Sequence, residues 1–86
     1  MIKYPKILKV QVLNKTNLLV EFDNNEQKIY SINHLLNNPI FAPLKDFNLF
    51  KNVQIEAGGY AISWNNEIDL SEYELYTIAF PINEAV

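Results

Sequence analysis

His34 is the single histidine of the chain, and imidazole is the side chain best suited to move a proton or hold a metal near neutral pH. A zinc centre needs three or four nitrogen, sulfur or carboxylate ligands at close range. One histidine and no cysteine do not supply them. No nucleophile stands at a spacing that pairs it with an oriented base, so His34 reads as an exposed or half-buried helical residue. The carboxylates Glu67, Asp69, Glu72 and Glu74 offer other chemistry, because hard oxygens suit calcium or magnesium. Asp69, Glu72 and Glu74 are therefore the candidate set for a divalent cation or small ligand, although their spacing is not that of an EF-hand loop. The plainer reading of Asp69 is a residue that caps the helix after it and favours its dipole. Gly58-Gly59 lacks the Lys-Ser/Thr that follows in a phosphate loop and reads as a turn. No catalytic constellation emerges, no cofactor is implied, and the chain is expected not to be an enzyme.

The elements that would position these residues begin with three strands. Residues 7–13, 18–23 and 27–31 alternate apolar and polar side chains, and asparagine-rich connections join them. Asparagine tolerates the left-handed backbone of tight hairpins, so a three-stranded antiparallel meander is expected. A three-residue loop at 14–16 pairs Val12 with Leu18, Val10 with Val20 and Lys9 with Glu21. A two-residue turn at Asn24-Asn25 pairs Glu21 with Lys28, Val20 with Ile29 and Leu19 with Tyr30. Leu8, Val10, Val20, Phe22 and Ile29 then share the buried face. Lys9, Glu21 and Lys28 form an outward row, read as exposed cross-strand pairs worth about 0.2–1 kcal/mol each. Leu19 and Tyr30 also face outward and are candidate interface residues.

Ser31 is placed to cap a short helix, Ile32–Leu36, which Asn37-Asn38-Pro39 ends. Pro43 opens a helical turn, and Phe47, Leu49 and Phe50 anchor it. A turn at Gly58-Gly59 makes a hairpin that pairs Ile55 with Ile62 and Val53 with Trp64, with Ala57, Tyr60, Ile62 and Trp64 on the face to be buried. Ser71 and Glu74 form a capping box at the start of a helix over about 72–79, and Pro81 bars its continuation. Leu75, Ile78 and Ala79 make its apolar stripe, widened by Tyr73 and Tyr76. Trp64, Tyr60 and Tyr76 are expected in the core, and Tyr73 is a further interface candidate. Residues 80–86 carry no clear pattern.

Eighty-six residues make one domain, 1–86, with its core over about 4–80. The absence of cysteine fits a cytoplasmic home better than a secreted one. No stretch approaches a membrane span of about 18–20 apolar residues, and Met1–Val10 does not read as a signal peptide. All seven basic residues are lysines, and none follows Lys51, so residues 1–51 carry +3 and the rest −6. Without arginine or a basic footprint, direct nucleic-acid binding is not expected.

The assembled pattern resembles a bacterial family catalogued as domain of unknown function 2442. The resemblance is carried by Tyr4-Pro5-Lys6-Ile7 leading into the first strand; by Leu18, Val20 and Phe22; by Leu35-Leu36, Phe41, Leu44, Asp46 and Phe50; and by the ending from Trp64 through Ile68-Asp69-Leu70 to Leu75-Tyr76. It spans about residues 4–77. Asn24-Asn25 stands where the family favours a glycine-containing turn, Ser31 where it favours aspartate, and Asn66-Glu67 where Asn-Gly is common. The resemblance implies a compact α+β domain in the order βββ-α-ββ-α, a meander packed with a hairpin and short helices. It implies no established activity. Family members are sometimes joined to a helix-turn-helix domain, and their genes often neighbour another small protein, an arrangement like that of toxin–antitoxin pairs.

The expected function is that of a non-enzymatic interaction module that binds a small partner protein or itself, with the antitoxin-like half of a two-protein system as one form. Its interface candidates are Leu19, Tyr30 and Tyr73, and its charge asymmetry could steer a charged partner. The alternative is a small-ligand or divalent-cation domain using Asp69, Glu72 and Glu74.

Overall fold

Two antiparallel sheets enclose one core with the helices. The computed structural model describes residues 3–81. Sheet 1 has the order β1-β2-β3-β7, built from β1 (Ile7–Val12), β2 (Asn17–Phe22), β3 (Gln27–Ser31) and β7 (Phe80–Pro81). Sheet 2 has the order β4-β5-β6, built from β4 (Gln54–Ile55), β5 (Ala61–Ser63) and β6 (Asp69–Ser71). Two helices, α1 (Phe47–Phe50) and α2 (Glu72–Ile78), and three 3₁₀ turns at Asn33–Leu35, Ala42–Lys45 and Ala57–Gly59 complete the α+β fold.

The first hairpin follows its expected register, with Val12 opposite Leu18, Val10 opposite Val20 and Lys9 opposite Glu21. Its loop is held by the Asn14 side chain, whose Oδ1 accepts from the Thr16 and Asn17 amides at 3.0 Å each. The register breaks between Ile7 and Lys9. This bulge turns Ile7 into the core and leaves Leu8 52 % exposed, which corrects the expectation that Leu8 faces inward.

The second hairpin is displaced by one residue from the expected register. Glu21 faces Gln27, Val20 faces Lys28, Leu19 faces Ile29 and Leu18 faces Tyr30. The connection is a three-residue loop, Asp23-Asn24-Asn25, rather than the two-residue turn at Asn24-Asn25. Phe22 and Glu26 close it through a 2.9 Å backbone bond. Asn25 takes φ 71°, the left-handed residue that ends a type I turn in such loops. A one-residue slip sends every side chain of a strand to the other face. Tyr30 and Lys28 therefore point inward, and Ile29 points outward, each opposite to expectation. The outward row beside Lys9 and Glu21 is completed by Gln27, whose Nε2 donates to Glu21 Oε1 at 3.0 Å.

The segment between the sheets is a series of single turns. Ser31 Oγ accepts from the Asn33 amide at 3.2 Å, but the turn that follows is 3₁₀ and three residues long. Pro43 lies in the first positions of the next turn, and Asp46 caps α1 by accepting from the Asn48 amide at 2.9 Å. Phe50 is fully buried and stacks on Trp64 with centroids 6.0 Å apart, while Phe47 is exposed. Trp64 Nε1 donates to the Phe50 carbonyl at 2.8 Å, tying α1 to sheet 2.

The glycine hairpin keeps its expected register, Ile55 opposite Ile62. Gly58 and Gly59 have φ 81° and 75°, and a Cβ on Gly59 would lie 2.5 Å from the Ile7 carbonyl oxygen. Glycine is thus required where the turn meets β1. Tyr60, at the end of this turn, is 56 % exposed, which corrects its assignment to the core. Asp69 lies on β6 opposite Ser63 rather than at a helix cap. Ser71 is the cap, accepting from the Glu74 amide at 3.1 Å, and α2 covers the expected span. Leu75 and Ala79 of its stripe are buried, and Ile78 is exposed. After Ala79 the chain turns extended and Phe80 pairs with Ile29, a fourth strand that pattern alone did not reveal. Residues 82–86 of the unassigned tail lie outside the described residues.

Candidate functional site

Each expected site residue has a definite place. Leu19 is half-buried on the outer face of sheet 1, as expected, and is not part of the buried cluster. Tyr30 is fully buried on the inner face, so it offers no outer surface. Its register partner explains the exchange: Ile29 takes the outward place opposite Leu19. Phe80 sits opposite Ile29 and is 64 % exposed. Leu19, Ile29 and Phe80 thus form a continuous apolar row across three adjacent strands, with Gln11 opposite Leu19 at its far end. The neighbouring row is Lys9, Glu21 and Gln27, and a concavity of about 250 Å³ is lined by Lys9, Gln11, Leu19, Glu21 and Gln27. Tyr73 is 54 % exposed but stands on α2, edge-on to Tyr4 at 4.9 Å. Because α2 covers the inner face of sheet 1, Tyr73 and Leu19 do not share a surface.

The acidic candidates are dispersed. Glu72 lies 3.4 Å from Lys6 Nζ, and that ammonium also sits 4.4 Å from the centroid of the Tyr60 ring. Glu74 Oε2 accepts from the Tyr30 hydroxyl at 2.8 Å. Asp69 borders a polar cleft of about 330 Å³ on the outer face of sheet 2, with Gln54, Glu56, Ser63 and Asn65. Within it Ser63 Oγ donates to Glu56 Oε2 at 2.7 Å. Among the described residues no three His, Cys, Asp or Glu side chains converge on a metal position.

His34 joins the Tyr30–Glu74 pair, with Nε2 3.2 Å from the Tyr30 oxygen and 3.9 Å from Glu74 Oε2. The single hydroxyl proton is committed to the carboxylate, so the imidazole must supply the proton of its own bond to Tyr30. Burial, with the Glu74 hydrogen bond and charge beside it, pushes the Tyr30 hydroxyl far above the usual tyrosine range. This arrangement locks α2 to β3, and it holds no group poised as a nucleophile.

Lys28 makes a second such lock. It is 9 % exposed, donates to the Tyr76 carbonyl at 2.7 Å and lies 3.8 Å from the centroid of that ring. A cation at the last turn of α2 meets its free carbonyls and their partial negative charge. Tyr76 donates its hydroxyl to Glu26 at 2.6 Å, which holds Glu26 below the usual carboxylate range and raises Tyr76.

The alternating strands, the caps and the buried Trp64 all fall within residues 7–81, the span matched by the family model described as Protein of unknown function (DUF2442). The chain belongs to this family. No curated protein and no solved structure matches it significantly. Membership leaves activity open. Within this DUF2442 chain, no helix among the described residues is long and apolar enough to cross a membrane.

The residues that sequence reasoning missed are Ile29 and Phe80. The signal for Ile29 was present in the loop, where Asp-Asn-Asn can form a type I turn closed by a left-handed asparagine. Phe80 had no comparable signal, because a two-residue strand before proline has no period to read.

Proposed function

We propose that this chain is a non-enzymatic protein-interaction module whose contact surface is the outer face of sheet 1. The observation that carries the reading is the aligned row Leu19, Ile29 and Phe80, which lies on the face opposite the core. Apolar side chains in a contiguous row away from the core mark contact surfaces more often than scattered ones do. The titratable clusters around Tyr30 and Tyr76 are consumed in holding α2, which leaves them no evident catalytic task. The antitoxin-like half of a two-protein system is a form of this reading that rests on the family resemblance, and it requires a small stoichiometric partner. A cysteine-free domain of this size suits the cytoplasm.

The test is capture from the native cell followed by native mass spectrometry, using wild type and Leu19→Glu/Phe80→Glu. Partner or self-complex in the wild type, lost in the folded variant, supports the reading. Complexes that survive in the variant dismiss this face. The cation-binding alternative has less support, since Glu72 and Glu74 are engaged with Lys6 and Tyr30. A calcium- or magnesium-induced rise in melting temperature that Asp69→Asn removes would revive it.

A further inference from the structure

We infer that His34, Glu74 and Tyr30 form a binding site for a copper(II) ion, which staples α2 to β3. Three elements bring the donors together: the 3₁₀ turn Asn33–Leu35 carries His34, α2 carries Glu74 and β3 carries Tyr30. The third donor is a tyrosine, outside the set of histidine, cysteine and carboxylate side chains that makes most metal centres. The site lies on the α2 side of sheet 1, apart from the outer contact face, and stands or falls independently of it.

Distances make the first argument. The Tyr30 oxygen lies 2.8 Å from Glu74 Oε2 and 3.2 Å from His34 Nε2, and those two atoms are 3.9 Å apart. A triangle with these sides has a centre about 2.0 Å from every corner, the length of a bond from a first-row metal to nitrogen or oxygen. An ion at that centre lies in the plane of its donors. His34 and Glu74, the widest pair, stand on opposite sides of it, and Tyr30 takes the place between them. Three corners of a square are filled, and water completes the fourth. A lone histidine does not make a tetrahedral zinc centre, but copper(II) takes nitrogen and oxygen donors in a square plane and binds them more tightly than the other divalent first-row ions.

Access and charge make the second argument. Tyr30 is fully buried, while the His34 and Glu74 side chains are 50 % and 33 % exposed. An ion therefore reaches the donors from the exposed side of His34 and Glu74. The lysine–carboxylate pairs among the described residues are Lys6–Glu72 and Lys28–Glu26. Glu74 has only the imidazole within pairing distance, so beside neutral His34 its charge is left for a cation to compensate. On coordination the Tyr30 hydroxyl proton leaves to water, and the imidazole keeps its single proton on Nδ1. The cation stabilises the phenolate so formed. The ion then ties together the same three elements that the hydrogen bonds hold, and binding that requires the folded arrangement stabilises it.

Titration of copper(II) sulfate into the metal-free full chain at neutral pH tests the site, read by visible absorption, electron paramagnetic resonance and thermal melts. The expected result is one ion per chain, a phenolate-to-copper charge-transfer band and nitrogen coupling from an imidazole. Free copper at about 100 times its dissociation constant should raise the melting temperature by about 10 °C or more. Magnesium should do nothing, because it takes oxygen donors and not imidazole. Tyr30→Phe should abolish the band, His34→Gln should abolish the nitrogen coupling, and each should weaken binding about tenfold or more. Tyr30→Phe keeps the buried ring and His34 is half exposed, so both variants should fold, which near-ultraviolet circular dichroism checks. Binding without the band, or binding that both variants retain, overturns the proposal; the latter places the ion elsewhere, as on the N-terminal amine. A response kept in His34→Gln and lost in Asp69→Asn also overturns it and moves the ion to the sheet 2 cleft.

Discussion

Tyr30 concentrates the physics of this domain in one side chain. Its ring is buried among apolar neighbours, and its hydroxyl joins Glu74 and His34. Tyr30→Phe keeps the ring and removes one hydrogen bond, so it should cost about 1 kcal/mol. Tyr30→Glu places a carboxylate in the core beside Glu74 and should cost about 3–5 kcal/mol or unfold the chain. Urea melts of the two variants separate these outcomes, and a mild effect of Tyr30→Glu would refute the inward placement. Trp64→Phe poses a related question, since it leaves the buried Phe50 carbonyl without its donor. An unpaired buried acceptor costs about 1–3 kcal/mol, and the same melts would show whether the loss is that large.

Two turns decide the arrangement of the elements. At the glycine turn, both residues have positive φ, but their neighbours differ. A Cβ on Gly58 meets the exposed Tyr60 ring, which can swing aside, so Gly58→Ala should cost about 1–2 kcal/mol, the strain of a left-handed alanine. A Cβ on Gly59 meets the Ile7 backbone, which cannot move without shifting β1. Gly59→Ala should therefore be the more damaging, by about 2 kcal/mol or more. Thermal melts of the pair, compared side by side, check the ranking. At the other turn, Asn25 supplies the left-handed residue that sets the register of β3. Its chemistry was visible in the sequence, but Asn24-Asn25 and Asp23-Asn24-Asn25 are both reasonable loops for it. Burial alone does not choose between them, since each puts apolar side chains on the inner face.

At the scale of the molecule, the domain should lose stability in alkali. Tyr30 and Tyr76 are both raised above the ordinary tyrosine range, Tyr30 chiefly by burial and Tyr76 chiefly by its bond to Glu26. A group raised on folding contributes its full stability below the unfolded value, about 10 for tyrosine, and loses it as pH rises through the folded value. Denaturation midpoints should hold up to about pH 10 and then fall, and Tyr30→Phe should flatten that fall. A midpoint unchanged at higher pH would contradict the buried, neutral Tyr30. Glu26 acts in the opposite sense: lowered on folding, it contributes stability that disappears as pH falls through its folded value.

Local chemistry by itself determined the first hairpin, the glycine hairpin, the Ser71 cap and the span of α2, because strand period, turn residues and caps act over a few neighbouring residues. The α+β class and the family followed from their order. Tertiary structure decided which side of the sheet Tyr30, Lys28 and Ile29 occupy, and that Phe80 becomes a fourth strand. Those outcomes depend on a one-residue choice of loop and on α2, whose last-turn carbonyl accepts Lys28 from a strand 48 residues away. Contacts so distant leave no period in the sequence. The apolar row that carries the functional proposal arose from the same choice, so it became visible only once the sheet was assembled.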